Sequence, residues 1–243
     1  MNLLLHICCA GCLCAPLEEL RKENIYVHGY FYNPNIHPLL EFRKRLKAVH
    51  IFQESDPLIV DYCEEYGLME YLKEVDYEGE NSPHCPSILL SHRADTVQES
   101  RGDRCEDCYR LRLRTTACYA REKGFDAFSS TLLFSEHQDH ERVKKVGEQV
   151  SEQIGISFEY RDYRYLCECS REIASKKMLY KQSYCGCIFS EYERYKDTTR
   201  NLYQGWKLRG DKVPTAFGKK AQGQVVGKDN YLSLKEGVQT VRE

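Results

Sequence analysis

The sequence contains no run approaching the roughly 18 consecutive apolar residues that a membrane-spanning helix requires, so nothing in it reads as a helical span. It also has almost no excess charge. Its 35 Lys and Arg stand against 37 Asp and Glu, a formal net charge of -2, and overall charge therefore points to no particular partner. The N-terminal stretch Met1-Asn2-Leu3-Leu4-Leu5-His6-Ile7 lacks the basic region, long apolar segment and small-residue cleavage site of an export signal. The expected compartment is the cytoplasm, and no membrane partner is expected. No internal repeat is found. A Gly/Ser-rich phosphate cradle is missing after the first apolar run, where Cys8-Cys9-Ala10-Gly11-Cys12 stands instead.

Cysteine, by contrast, is abundant. Thirteen occur in 243 residues, in a compartment whose thiol pool makes structural disulfides rare. The count is odd and the residues cluster as adjacent, one-apart and two-apart pairs, which argues for metal or redox chemistry over a disulfide framework. With 42% hydrophobic and 30% charged residues, the composition is that of a soluble globular protein. The length suits one large domain, or one domain with an appendage.

Strand and helix signals alternate along the chain. Leu3–Ile7 reads as a buried first strand, followed by a turn and the helical stretch Leu17–Lys22. Ile25–Tyr32 reads as a second strand closed by the Asn33-Pro34-Asn35 turn. Glu41–Gln53, with Phe42, Leu46, Val49 and His50 at helical spacing, reads as a helix. A third strand is expected at Pro57–Tyr62, a short helix at Leu68–Val75, and a polar excursion, an insertion at about residues 77–104, before a helix over Tyr109–Lys123 that Gly124 stops. A strand at Asp126–Leu133 precedes a capping-box pattern at Ser135 and Gln138, which predicts a helix over Glu136–Ile154. Ser157–Tyr163 then reads as strand and Arg171–Leu179 as helix. These βαβ units imply an α/β fold with a mainly parallel sheet and helices on both faces, in which ligands sit beyond the carboxyl ends of the strands. The predicted catalytic domain is 1–200. Residues 201–243 form an appendage, with eight Lys/Arg against four Asp/Glu.

Cys8 and Cys9 fall at the carboxyl end of the first strand, beside a helix N-terminus that favours anions and lowers thiol pKa. Cys12 lies about one helical turn further on. Cys105 and Cys108 form a C-x-x-C pair able to reach one metal from a single turn, and iron-sulfur clusters need four ligands, usually thiolates. Cys185-Gly186-Cys187 fits either two metal bonds or a strained, oxidising disulfide. A structural zinc site at Cys105 and Cys108, or a core role for one of the adjacent pair, competes with these readings. His137, Asp139 and His140 read as a proton relay or as ordinary capping. Asn33, Asn35 and His37 read as substrate contacts or a plain turn, and His84, Cys85 and His92 as a weak zinc site. Cys63, Cys85, Cys118, Cys167 and Cys169 read as structural or incidental.

Five stretches occur in order: His6-Ile7-Cys8-Cys9-Ala10-x-Cys12; Phe31 to Pro38; Cys105-x-x-Cys108-Tyr109-x-Leu111-Arg112-Leu113; Phe128 to Leu133; and Tyr184-Cys185-Gly186-Cys187. Together they resemble the QueH type of epoxyqueuosine reductase over about residues 3–196. The resemblance implies an adenine nucleotide alpha hydrolase (HUP-like) fold and cobalamin-independent reduction of epoxyqueuosine to queuosine in tRNA. It implies a 4Fe-4S cluster, with a second mononuclear iron or a cysteine pair nearby, and an unidentified low-potential electron donor. Carried over by position, Cys8, Cys9, Cys105 and Cys108 are the cluster ligands. Cys185 and Cys187 are then a redox-active pair or, with Cys12, ligands of the second iron. A competing allocation gives one of Cys185 and Cys187 to the cluster and lets Cys8, Cys12 and the other hold the iron. Two other functions are weighed against this one: a zinc-stabilised RNA-binding module and an ATP-dependent tRNA thiolation enzyme. Gly11 in place of a usual proline, the additional Cys14, the inserted stretch and the tail depart from the pattern.

Overall fold

The computed structural model describes residues 1–75 and 101–196. The central strand β1 (Asn2–His6) owes its place to the leucine run: Leu3, Leu4 and Leu5 are fully buried. A run apolar on both faces is what an interior parallel strand requires. On one side β1 pairs with β2 (Tyr26–Phe31), which pairs with β3 (Val60–Tyr62); on the other it pairs with β4 (Ala127–Ser130), which pairs with β5 (Ser157–Phe158). The order is β3-β2-β1-β4-β5 and every pairing is parallel.

Alternation along β2 assigns the helices to faces. Phe31 meets Phe42 of α2 (Leu39–Ser55), whereas the neighbouring Tyr30 stacks on Tyr119 of α4 (Arg101–Lys123) with ring centroids 4.6 Å apart. Successive strand residues point to opposite faces, so α2 and α4 cover opposite sides. Helix α1 (Ala10–Lys22) packs with α2 and α6 (Cys167–Lys176). Helix α4 packs with α3 (Leu68–Val75) and α5 (His140–Ile154). A last helix, α7 (Ile188–Tyr195), follows the Cys185-Gly186-Cys187 turn. The chain winds outward in both directions from β1, which places the topological switch point between the carboxyl ends of β1 and β4.

Several sequence expectations are corrected. Helix α4 begins at Arg101, not Tyr109, so Cys105 and Cys108 lie inside a helix, supported by the Glu106–Arg110 ion pair one turn apart at 2.8 Å. The strand expected at 126–133 stops at Ser130, where a short 3-10 turn (Thr131–Phe134) begins. Ser135 does not cap α5: its hydroxyl takes the His137 N–H, the Gln138 side chain accepts from Tyr109, and Asp139 is the cap, accepting the Arg142 N–H at 3.2 Å. Tertiary pairing thus overrides a local capping pattern. Strand β5 has two residues rather than seven, and α6 runs from Cys167 rather than Arg171. On α2 His50 is exposed; the buried stripe carries Arg45 in addition to Phe42 and Val49. Most of the expected insertion, with the His84, Cys85 and His92 reading, and the appendage lie outside the described residues.

Close packing of α5 on β5 depends on Gly147, where a Cβ would lie 2.2 Å from Cε1 of Phe158. Gly147→Ala is expected to lower stability by about 1–3 kcal/mol, read as a shift of the denaturant midpoint. Phe158→Leu in the same chain should recover part of the loss; a midpoint unmoved by the alanine would refute the contact.

Candidate metal centre

The carboxyl end of β1 delivers Ile7, Cys8 and Cys9 directly into α1. Cys9 is the helix N-cap in extended conformation, and the first turn has no acidic residue. Cys12 comes round beside Cys8 and Cys9, and the three buried sulfurs lie within 4.8 Å of one another. The Cys8 and Cys9 sulfurs are 3.9 Å apart. From the turn after β4, Thr131 locks this end of the sheet: its hydroxyl accepts the Cys8 N–H at 2.9 Å and donates to the Cys8 sulfur at 3.2 Å. The switch point therefore holds thiols where the dinucleotide-binding type of doubly wound sheet presents glycine amides.

Hydrogen bonds from Cys12 and Cys9, partly opposed by burial, hold the Cys8 thiol well below its ordinary value. For Cys9, the lowering by Cys12 is outweighed by Cys8 and by burial, which push it up to about 12. Bonding to Cys8 and Cys9, with burial, keeps Cys12 well above its ordinary value. Cys8 is thus the most acidic thiol of the trio. A buried group of soft sulfur donors, one of them made more acidic by its neighbours, fits a soft or borderline metal such as iron or zinc, not a hard oxygen-seeking cation. The trio can bind a metal.

Beneath it, His6 is fully buried. Its Nε2 faces the Tyr32 carbonyl at 2.9 Å and must donate; its Nδ1 then accepts from the Ser130 hydroxyl at 2.8 Å, which in turn takes the Leu132 N–H. Burial first, then the Arg112 charge, lowers its pKa to about 4, and the ring is neutral.

Cys108 faces a small buried cluster with Tyr71 of α3 and Cys187. Burial raises it to about 12, against the Arg112 guanidinium, whose Nη2 donates to its sulfur at 3.2 Å. Cys105, one turn earlier on the same helix, packs half-buried against the main core.

In the third group the Cys185 and Cys187 sulfurs are 3.6 Å apart. The bond from Cys185 is the main cause that brings Cys187 down to about 5, while Cys185 is driven well above its ordinary value. Cys187 also caps α7, its sulfur accepting the Ser190 N–H at 3.3 Å. Between them Gly186 has φ +123°, outside the range of L side chains, and a Cβ there would come 3.0 Å from Arg45 Nη1. Arg45 fixes this turn to the core: its guanidinium donates to the Cys185 carbonyl at 2.7 Å, the Tyr184 carbonyl at 2.9 Å and Glu41 at 2.8 Å.

Cys8, Cys9 and Cys12 come together, as do Cys185 and Cys187, and Cys108 joins Cys187. Among the described residues no other three His, Cys, Asp or Glu ligand atoms are gathered as tightly as the first trio. Asn33 and His37 serve as struts: the Asn33 amide donates to the Ile7 carbonyl at 2.8 Å, and the His37 N–H to the Gly186 carbonyl at 2.6 Å. Asn35 is buried in the same loop. Asp139 is a helix cap, His137 is exposed, and His140 bonds Tyr160 at 2.9 Å. Cys118 and Cys169 are exposed, Cys63 and Cys167 half-buried. Sequence reasoning assigned no role to Arg45, Tyr71, Arg112 or Thr131. For Arg45 the signal was present: Glu41 and Arg45 form a charged i,i+4 pair on the apolar face of α2.

The family model described as epoxyqueuosine reductase QueH matches residues 3–193. Proteins bearing that name include one from Dehalococcoides mccartyi, 34% identical over 194 residues that cover 80% of this chain and 94% of the relative. Another, from Thermotoga maritima, is 32% identical over 201 residues, covering 79% and 92%. A third, from Staphylococcus epidermidis, is 30% identical over 191 residues, covering 78% and 76%. The matched span contains all of the sheet but its first residue, Asn2, and all three thiol groups, and the chain belongs to the epoxyqueuosine reductase QueH family.

Proposed function

We propose that the chain reduces epoxyqueuosine to queuosine in tRNA, without cobalamin, using iron held by its thiol groups. Removing the epoxide oxygen as water leaves a carbon-carbon double bond and consumes two electrons and two protons. The observation that carries this reading is the convergence of soft donors at the switch point of the sheet, where this fold class binds its ligands.

Cys8, Cys9, Cys105 and Cys108 would hold a 4Fe-4S cluster, with Cys12 beside them; Cys185 and Cys187 would act as a redox-active pair or, with Cys12, as ligands of a second iron. Such a centre supplies low-potential electrons when bound. The chain's own residues hold and shield it. Thr131 and the neutral His6 fix the Cys8 segment, Arg45 fixes the late cysteine turn, and Tyr71 with Phe189, Leu68 and Leu72 keeps water from Cys108 and Cys187. An anticodon nucleoside would be bound by stacking and edge contacts and its flanking phosphates by Lys or Arg. An outside low-potential donor must re-reduce the centre. No helix among the described residues is long and apolar enough to cross a membrane.

The test is anaerobic incubation with epoxyqueuosine-containing tRNA and a low-potential reductant, followed by nucleoside mass analysis. Loss of one oxygen is expected, from a brown protein carrying about four or more irons per chain. A colourless protein holding only zinc, with the epoxide intact, would overturn the reading.

A further inference from the structure

Two guanidinium groups are buried at the candidate centre, and their surroundings differ. Arg45 has a carboxylate partner in Glu41, itself held by the Tyr180 hydroxyl at 2.5 Å, so that pair is neutral as a unit. Arg112 is only 4% exposed, and among the described residues no carboxylate lies within ion-pair distance of it. Its Nε donates to the Cys108 carbonyl at 3.1 Å and its Nη2 to the Cys108 sulfur at 3.2 Å; the Tyr109 ring centroid lies 5.9 Å from the guanidinium carbon. Burial opposes its charge, and the groups that favour it are Cys108, Cys8, Tyr109 and Cys185. Cys108 is thus bonded directly to this cation, and Cys8 and Cys185 lie within range of its charge.

A buried cation without a counter-ion costs several kcal/mol. A guanidinium cannot shed its proton to escape that cost, so among the described residues the compensating negative charge comes from the sulfurs, Cys108 first, and whatever they bind. We infer that Arg112 is a positioning residue of the redox centre, a fixed positive charge with a hydrogen bond to a ligand sulfur that stabilises the centre's more negative, reduced state and so raises its reduction potential. Charge and hydrogen bonds to sulfur are the levers by which proteins tune such potentials. The inference rests on the iron-sulfur reading above.

The test compares the anaerobically purified parent protein with Arg112→Gln and Arg112→Lys, measuring iron content, thermal unfolding and the midpoint potential by optical titration with redox mediators. The glutamine variant is expected to lose at least a tenfold factor in the reduction equilibrium constant, equal to 59 mV for a one-electron couple, while the lysine variant restores most of it. A folded glutamine variant that loads no iron, beside a lysine variant that does, also supports the charge. An iron-loaded glutamine variant with the parent potential overturns the inference. So does failure of the lysine variant to load iron, or of both to fold, since the guanidinium would then be needed for shape and not for charge. A parent protein without an iron-sulfur cluster would instead defeat the reading beneath it.

Discussion

Serine in place of Cys8 is expected to remove most of the bound iron and lower turnover on the order of a thousandfold or more, the scale on which a member of an interdependent constellation acts. Cys9→Ser and Cys12→Ser should follow, because the three sulfurs share one site within 4.8 Å. Cys14→Ser is the control. Cys14 is equally buried on the same helix, but its thiol donates to the Ala10 carbonyl of its own helix at 3.1 Å, a bond a serine hydroxyl can also make. Its iron content and rate should stay at the parent level. Iron content and single-turnover deoxygenation of tRNA, measured side by side, decide the matter. Full iron and full rate in the Cys8 variant would remove the trio from the centre.

Arg45→Met should be the most destabilising of the single changes considered. Its guanidinium is 1% exposed and neutralises Glu41, which is 5% exposed. Losing one partner strands the other charge in the core, at a cost of about 3–5 kcal/mol, or roughly 6–20 °C in Tm for a domain of this size. The same change frees the Cys185 and Tyr184 carbonyls, so the late cysteine turn loses its tie to α2. Replacing both members of the pair, Glu41→Leu with Arg45→Met, should recover much of the Tm but not the turnover. Calorimetry of the single and double variants, with activity on the same samples, separates the two effects. A double variant no more stable than the single one would show that the carbonyl contacts, not the stranded carboxylate, dominate.

The elements legible in the sequence were those whose burial is written locally. The leucine run of β1 can only suit an interior strand, and the expected and observed positions of β2 and α3 nearly coincide. The beginnings of α4 and α5 were misread because their ends depend on distant partners: Gln138 is drawn to the Tyr109 hydroxyl instead of closing a box on Ser135. Helix α7 was not anticipated, because its N-cap is the Cys187 sulfur and not one of the Ser, Thr, Asp or Asn side chains that announce a helix start.

For the candidate centre, the sequence by itself determined the candidate donors, their chemistry and their order along the chain, because the thiol is a property of the residue and its grouping is visible in the spacing. The parallel alternation of elements likewise fixed that Cys8 and Cys9 would lie at a strand's carboxyl end. Only the tertiary structure decided which sulfurs meet, that Cys12 joins Cys8 and Cys9, that Cys108 shares its pocket with Tyr71 and Cys187, and that one buried arginine holds the late cysteine turn while another bonds the Cys108 sulfur. Those choices rest on contacts between residues far apart in the chain, such as Cys8 with Thr131 and Arg45 with Cys185. Their energies come from burial and charge compensation, which no local pattern encodes.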